Sequence, residues 1–588
     1  MEYLSKLTER LSIREKFNKN FLYIGFRNPF SVWKPRTKGH DEHEHTVLHY
    51  MIQNMYPWDY EDVMSYKMTT TTNDDVENDF FSGDIEQHQV PKDENYLTAL
   101  TTVSDMFRPS HLIRPVHFAD LRLYPWNKKP SAEPPFSDHK KYLSWLNESF
   151  LNGTIPNRKP SFANLQDLIF GITRQQIHKI KEAEADPDDY LYYCKTHAKP
   201  ALVKRDDIDP ETGKTRNKVR MIFGVPKLMI FAEAMFFWPL FEHYQANIGS
   251  TPLLWGYETL NGGWLRLNDE LMRSHLRSSI LMIDWKRFDK YALFDVIDDI
   301  IDKVRLYFDF DNGYVPTTRN PVYNNWKERK QPQRLQNLWD WTCYARKAIP
   351  TVLPSGRLYK RLFAGIPSGM FTTNFLDSIY NAVMLITILN SLGIRIDPTN
   401  FRSFVFKLMG DDSLTQLPML IPPNQHSEFL LSFQNKADHY FRSIVSIDKS
   451  KLCNRPFGSE VLSYFNNNGF PVRDYNELLA RLLWTKSKNP RPELTMAACI
   501  GIYYASAGNC TYLREVCFSI YEHYRVQGFK ADRSAVLGFF DPNILRNIDI
   551  EVDKFPTLSD VQKRLTTLSM RSSERAEKYW PSWHFLSY

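Results

Sequence analysis

Residues 401–417 read FRSFVFKLMGDDSLTQL. Phe404, Phe406 and Leu408 alternate with Val405, Lys407 and Met409, the period of a strand. Gly410-Asp411-Asp412 then turns the chain, and Ser413-Leu414-Thr415 opens a return strand. Two adjacent carboxylates are thereby expected at the tip of a hairpin. A GDD tripeptide alone is usually no more than a turn, so its meaning depends on what accompanies it.

Upstream, residues 278–289 read SSILMIDWKRFD, a short apolar strand run that ends in Asp284. A carboxylate at the end of a buried strand is costly unless it meets a cation. Two such strand ends side by side make an all-oxygen site suited to Mg²⁺ or Mn²⁺. Two ions there would activate a hydroxyl and stabilise a leaving pyrophosphate. The alternative is that Asp284 merely caps its strand. Between the two Asp strands lies AGIPSGMFTTNFLDSIYNAVMLITIL (364–389). Gly365, Pro367, Ser368 and Gly369 form a loop, and Phe375 to Leu389 form a long buried helix. Ser368, Thr373, Asp377 and Asn381 fall near one another along its start, where N–H and hydroxyl groups can hold a nucleotide.

Lys214, Arg216, Lys218, Arg220 and Lys227 occur with no acid between them. Alternate residues from 214 to 220 would put their charges on one face of an extended strand, a ladder for a triphosphate; a solvated basic loop is the plainer alternative. The net charge of +6 and the pI near 8.7 suit a protein that handles a polyanion in a local groove. Hydrophobic residues at 43% and charged residues at 24% are ordinary for a globular chain, and 588 residues exceed what one core organises. The six Cys form no CxxC pair and match no zinc spacing, which implies reduced thiols. The first residues lack the apolar core of a secretory signal, and no run of about 18 apolar residues offers a membrane span. GHDEHEH (39–45) reads as a solvated charged segment rather than a metal site. TTNDDVENDFFSGD (71–84) reads as an exposed loop or boundary. The last hundred residues or so read as helices, and the basic, then aromatic tail is one that can fold back onto the body.

The ordered set DxxxxD, SGxxxT and GDD resembles motifs A, B and C of viral RNA-dependent RNA polymerases, with 84 residues from Asp284 to Ser368 and 43 from Ser368 to Asp411. PSG followed by TxxxDS resembles the partitivirus and picobirnavirus type of double-stranded RNA viruses. The resemblance implies that Asp284 and Asp411 bind the catalytic ions with support from Asp412, and that Asp289 recognises the ribose 2′-OH. Asp377 stands where the commoner pattern has Asn, and Asn381 one turn later is a candidate to share its role. The basic ladder looks like motif F. Asp448-Lys449-Ser450-Lys451 resembles motif D, in which Lys449 or Lys451 protonates pyrophosphate. Residues 460–464 resemble motif E, a hairpin near the primer end. Ser131–Pro135 resembles motif G, where template enters, without the usual Gly.

The implied architecture is α+β: a right hand of fingers, palm and thumb, with a small antiparallel palm sheet and a mostly helical remainder. Residues 1–75 would bridge fingers and thumb, 76–225 form fingers with an insertion at 310–360, 226–309 and 361–475 form the palm, and 476–588 form the thumb and tail. The implied enzyme is a nucleotidyltransferase that uses two Mg²⁺ or Mn²⁺ ions. Its implied partners are RNA template and product, nucleoside triphosphates and a viral capsid protein, with no membrane, in the virion interior or host cytoplasm. Two rivals remain at this point. A reverse transcriptase shares the palm but carries a bulky aromatic where Asp289 stands, whereas an Asp accepts a hydrogen bond from the 2′-OH. A non-catalytic, capsid-associated RNA-binding protein would not need carboxylates at two strand ends.

Overall fold

The computed structural model describes residues 19–32, 42–184, 186–206, 220–274, 277–321, 330–485, 490–540, 551–567 and 577–586. Apolar residues on both faces of a strand need cover on both sides, and the run ending at Asp284 has it. Strand β1 (Ser279–Met282) lies in an antiparallel sheet with β2 (Val405–Met409), β3 (Asp412–Leu417) and β4 (Lys451–Cys453), in the order β2–β3–β1–β4. Leu281 and Ile283 enter the main core, while Ile280 and Met282 join a smaller cluster with Leu254, Trp264, Leu271 and Leu414. Alternation also explains Lys407, buried in the middle of β2. It turns toward the smaller cluster, where its Nζ meets Glu270 Oε2 at 2.6 Å and donates to Tyr257 Oη at 2.7 Å.

Three long helices fill the main core: α1 (Lys227–Ala246), α2 (Gln331–Ala348) and α3 (Thr373–Ser391). Every residue of α3 from Phe375 to Leu389 is buried, as a helix apolar on nearly all sides must be, and α3 packs on β2. A second sheet gathers distant segments in the order Phe21–Phe26, Arg357–Arg361, Thr351–Val352, Cys194–Lys199 and Arg220–Gly224. Its neighbours run antiparallel except Thr351–Val352 against Cys194–Lys199.

The C-terminal part is helical: Tyr475–Leu483, Pro492–Ala505, Thr511–Val526, Arg533–Phe540 and Leu558–Thr566. These helices enclose a second core that also takes Val47, Met51, Val63 and Tyr66 from the N-terminal region. The N-terminal region therefore supplies both an edge strand to the five-stranded sheet and the helix Glu42–Asn54 to the second core. No described helix is long and apolar enough to cross a membrane.

Two sequence readings change. His43 is not solvated: it lies on the buried face of Glu42–Asn54, with Nε2 donating to the Leu482 carbonyl at 2.8 Å and Nδ1 2.8 Å from Thr495 Oγ1. His45 and His49 are exposed, and His40 lies outside the described residues. Residues 73–81 form a helix rather than a loop. Thr72 and Asp75 close a capping box, the acids occupy the first turn where the helix dipole favours them, and Val76 and Phe80 are buried. The tail does fold back: Trp580 and Phe585 stack on each other and meet Trp238 of α1.

Asn20 joins these parts. It is 1% exposed, and its Nδ2 donates to the Gly83 and Ala364 carbonyls at 3.0 and 3.1 Å. Its Oδ1 accepts from the backbone N–H groups of Leu362, Phe363 and Ala364 at 3.2, 3.0 and 3.0 Å. Asn20→Ala strands these buried groups and should destabilise the protein by about 2–4 kcal/mol, read as a lower urea midpoint. Asn20→Asp, which keeps the acceptor and loses the donor, should fall between that variant and wild type. An unchanged midpoint in Asn20→Ala would remove this role.

Candidate active site

Antiparallel pairing fixes which residues face each other. Met409 pairs with Asp412 across a two-residue turn, Gly410-Asp411, with Gly410 at φ +66°, a conformation that favours glycine. On the other side of β3, Thr415 pairs with Leu281 and Gln416 with Ile280. Carried on toward the turn, that register sets Asp412 across from Asp284. On the other side of β1, β4 pairs Lys451 with Met282. Asp284 is anchored by its backbone: its N–H donates to Ser450 Oγ at 3.0 Å, and its carbonyl accepts from Ser446 N–H at 2.8 Å.

α3 holds the turn. Gly410 N–H donates to Ser378 Oγ at 2.8 Å, and Asn381 Nδ2 donates to the carbonyls of Gly410 and Asp411 at 3.0 and 2.9 Å. Asn381 Oδ1 accepts from Trp285 Nε1 at 3.1 Å. Both N–H donors of Asn381 are thus committed to the turn and the residue is fully buried. In this geometry the Asn381 amide, expected near the ribose, is taken up by the turn that carries Asp411. Sequence reasoning missed Ser378 and Ser450. The one visible signal was the polar group at 377, 378 and 381 inside a helix that is otherwise mostly apolar.

The loop before α3 is shaped from within. Thr373 Oγ1 donates to the Pro367 and Met370 carbonyls at 3.0 and 3.2 Å, so its hydroxyl closes the loop rather than facing solvent. Gly369 has φ +112°, and a Cβ there would lie 2.6 Å from the Phe223 carbonyl oxygen. Ser368 Oγ and Asp377 Oδ1 are buried polar atoms with no hydrogen-bond partner among the described residues. These two atoms lie at the start of α3 with hydrogen-bonding capacity open to a water, an ion or a substrate group. Burial holds the Asp377 carboxyl well above the usual carboxylate range, and the charges of Asp289 and Asp411 add to the effect. Asp289 is pushed up to about 6, mainly by burial, with Asp411 and Asp79 raising it and Lys290 opposing. Ile366 N–H donates to the Asp289 carbonyl at 2.7 Å, which links the two segments.

Asp412 is also pushed up to about 6, by restricted hydration first and then by the charges of Asp411, Asp284 and Glu460. Its surface is exposed, so the crowding of protein around the carboxyl, not enclosure, limits its hydration. No three acidic, His or Cys side chains among the described residues already form a closed ligand set. The donor chemistry nevertheless fits a hard divalent cation: oxygen ligands only, with mutual repulsion that a cation relieves.

The two motif D lysines differ. Lys451 Nζ is 2.7 Å from Glu460 Oε2 and lies over the Phe465 ring at 4.9 Å. Lys449 is exposed, and its side chain bonds to no described residue. The hairpin after it consists of Glu460–Val461 and Tyr464–Asn467, joined by Leu462 and Ser463, both at positive φ. Glu133, in the 131–135 segment, is buried 3.3 Å from His197 Nε2, and Lys227 Nζ donates to the Ser131 carbonyl at 3.3 Å. Lys214, Arg216 and Lys218 lie outside the described residues. Arg220 opens the strand Arg220–Gly224, opposite Lys199.

A family model described as viral RNA-dependent RNA polymerase matches residues 213–524. The chain is 36% identical over 562 residues to the RNA-directed RNA polymerase of White clover cryptic virus 1, covering 89% of this chain and 88% of that protein. It is 25% identical over 562 residues to the RNA-directed RNA polymerase of Atkinsonella hypoxylon virus, covering 87% and 80%.

The crowding of carboxylates has a measurable consequence. Mg²⁺ at ten times its Kd should stabilise the wild type by about 1.4 kcal/mol. Asp412→Asn should melt no lower than wild type without cations and gain less from Mg²⁺. Equal gains in both proteins would take Asp412 out of the cation site.

Proposed function

This chain belongs to the viral RNA-dependent RNA polymerases and makes RNA on an RNA template, and from that membership we propose how its residues divide the work. The reaction joins the RNA 3′-OH to the α-phosphate of a ribonucleoside triphosphate and releases pyrophosphate. Asp284 and Asp411, supported by Asp412, hold two Mg²⁺ or Mn²⁺ ions. When bound, such ions lower the pKa of the attacking hydroxyl and neutralise charge on the leaving group. The observation that carries this reading is the pairing of β3 with β1, which runs Asp412 and Asp284 to the same end of the sheet, where the charges of Asp411 and Asp284 act on Asp412.

Asp289, Ser368 and Asp377 read the ribose. Asp377, kept protonated by burial, donates a hydrogen bond, and an ionised Asp289 accepts one from the 2′-OH. Gly369 and Thr373 act by shaping the loop that presents them. Lys449 delivers the proton to pyrophosphate, because Lys451 is held by Glu460 and Phe465. Lys214, Arg216, Lys218 and Arg220 bind the triphosphate. The four-stranded sheet with α1 and α3 is the palm, the five-stranded sheet with α2 belongs to the fingers, and the helices around the second core are the thumb. The N-terminal region bridges the last two, as its contacts with both support. A capsid protein as neighbour and the particle interior as working place extend the proposal from the viral origin of both relatives.

Incorporation of labelled ribonucleotides on a defined RNA template, with Mg²⁺ or Mn²⁺, tests the site. Asp411→Ala should abolish product, and surviving product would refute the metal assignment. Efficient use of deoxynucleotides by the wild type would favour a reverse transcriptase. Lys449→Ala should lower kcat by about 100-fold or more, and Lys451→Ala by much less. The reverse order would move the acid role to Lys451.

A further inference from the structure

The loop that carries Ser368 is tied at both ends to one buried charge network that lies outside every motif. Glu233, in the middle of α1, has no exposed surface. Its Oε1 accepts from Arg346 Nη2 and Nε at 3.0 and 3.3 Å, and from Thr372 Oγ1 at 2.7 Å. Its Oε2 accepts from the Thr372 backbone N–H at 3.3 Å. Arg346, on α2, is 3% exposed, and its backbone carbonyl accepts from Arg361 Nη2 at 3.0 Å. Arg361 in turn donates through Nη1 to the Gly365 carbonyl. One chain of bonds therefore runs from Thr372 through Glu233, Arg346 and Arg361 to Gly365, closing around the loop.

The neighbours of Glu233 on α1, from Phe231 to Trp238, are apolar and buried. An ion pair in such surroundings gains little over apolar residues of the same volume, because desolvation offsets the attraction. What it supplies here is a fixed distance between three helices and the loop. Thr372 immediately precedes α3, so the contact that holds Thr372 also sets where Asp377 stands on the following turns. Misplacing a binding group by about 1 Å can cost as much as 100-fold.

We propose that Glu233 is a positioning residue for sugar discrimination: through Thr372, and through Arg346 and Arg361 to Gly365, it sets the loop geometry that presents Ser368 and Asp377 to the ribose. The inference rests on the ribose reading given above. It is tested by the ratio of kcat/KM for a ribonucleotide to that for its 2′-deoxy counterpart, on one primed template with the full-length enzyme. Wild type, Glu233→Gln, Thr372→Val and Ser368→Ala are compared, with melting temperature and RNA affinity measured alongside. Thr372→Val removes one hydroxyl bond, keeps the side chain's size and leaves the Glu233–Arg346 pair intact, so it decides alone if Glu233→Gln does not fold.

The expected result is a ratio lowered about tenfold or more in Glu233→Gln and Thr372→Val, with KM for the ribonucleotide raised and RNA affinity unchanged. A merely structural role would lower both substrates equally and leave the ratio where it is. If Ser368→Ala lowers the ratio and the folded Glu233 and Thr372 variants do not, the inference is overturned while the ribose reading stands. If Ser368→Ala leaves the ratio unchanged, the ribose reading falls and this inference falls with it.

Discussion

Carboxylates that repel one another are held together at one end of a four-stranded sheet, and much of the surrounding structure answers to that constraint. Asp284, Asp411 and Asp412 arrive from two strand ends and one turn, and Asp289 and Asp377 lie close enough to feel the charge on Asp411. Nothing in the carboxyl groups themselves favours this arrangement. It persists because the backbone leaves them no alternative: Ser378 and Asn381 grip the turn from α3, Ser446 and Ser450 grip Asp284 from the β4 side, and the strands are buried on both faces. The repulsion is then available to a cation, whose binding relieves it.

Packing divides the molecule differently from its motifs. The main core draws on residues from Val90 to Val445 together with Phe585, and takes Leu281, Phe406, Leu408 and Leu417 from the four-stranded sheet and Cys194 from the five-stranded one, whereas the C-terminal helices form a core of their own with help from residues 47–66. The main core takes residues from both sides of positions 225, 310 and 360, so packing continues across them. A shared core keeps the loop before α3, the Asp hairpin and the five-stranded sheet in a fixed relation, which suits a reaction that needs several groups placed at once.

Much of the site could be read directly from the residues because its signals are local. Strand alternation, a Gly at the first position of a tight turn and a buried helix are all written within a few neighbours, and the structure has them at Val405–Leu417 and Thr373–Ser391. The mixed helix-and-strand class was implied by the family resemblance that these motifs carry. What was not legible depended on partners far along the chain. His43 looks solvated in sequence and is buried because Leu482 and Thr495 lie opposite it. Asn381 looks like a ligand residue until the turn occupies its amide. Lys449 and Lys451 are indistinguishable until Glu460 takes one of them. Residues 73–81 were a different kind of miss: the capping box was local and present, but the density of acids masked it.

The edge strand Phe21–Phe26 has a consequence for how the chain is made. Its neighbour in the sheet is Arg357–Arg361, and the Asn20 side chain that locks the pairing bonds to Ala364, 344 residues later. At ribosomal rates of about 5–20 residues per second, the strand emerges roughly 20 to 70 seconds before its partner exists. During that interval Tyr23, Ile24 and Phe26, which keep exposed surface even in the finished protein, have no sheet to join. The strand is thus made well before the sheet it completes, and its docking waits on the middle of the chain.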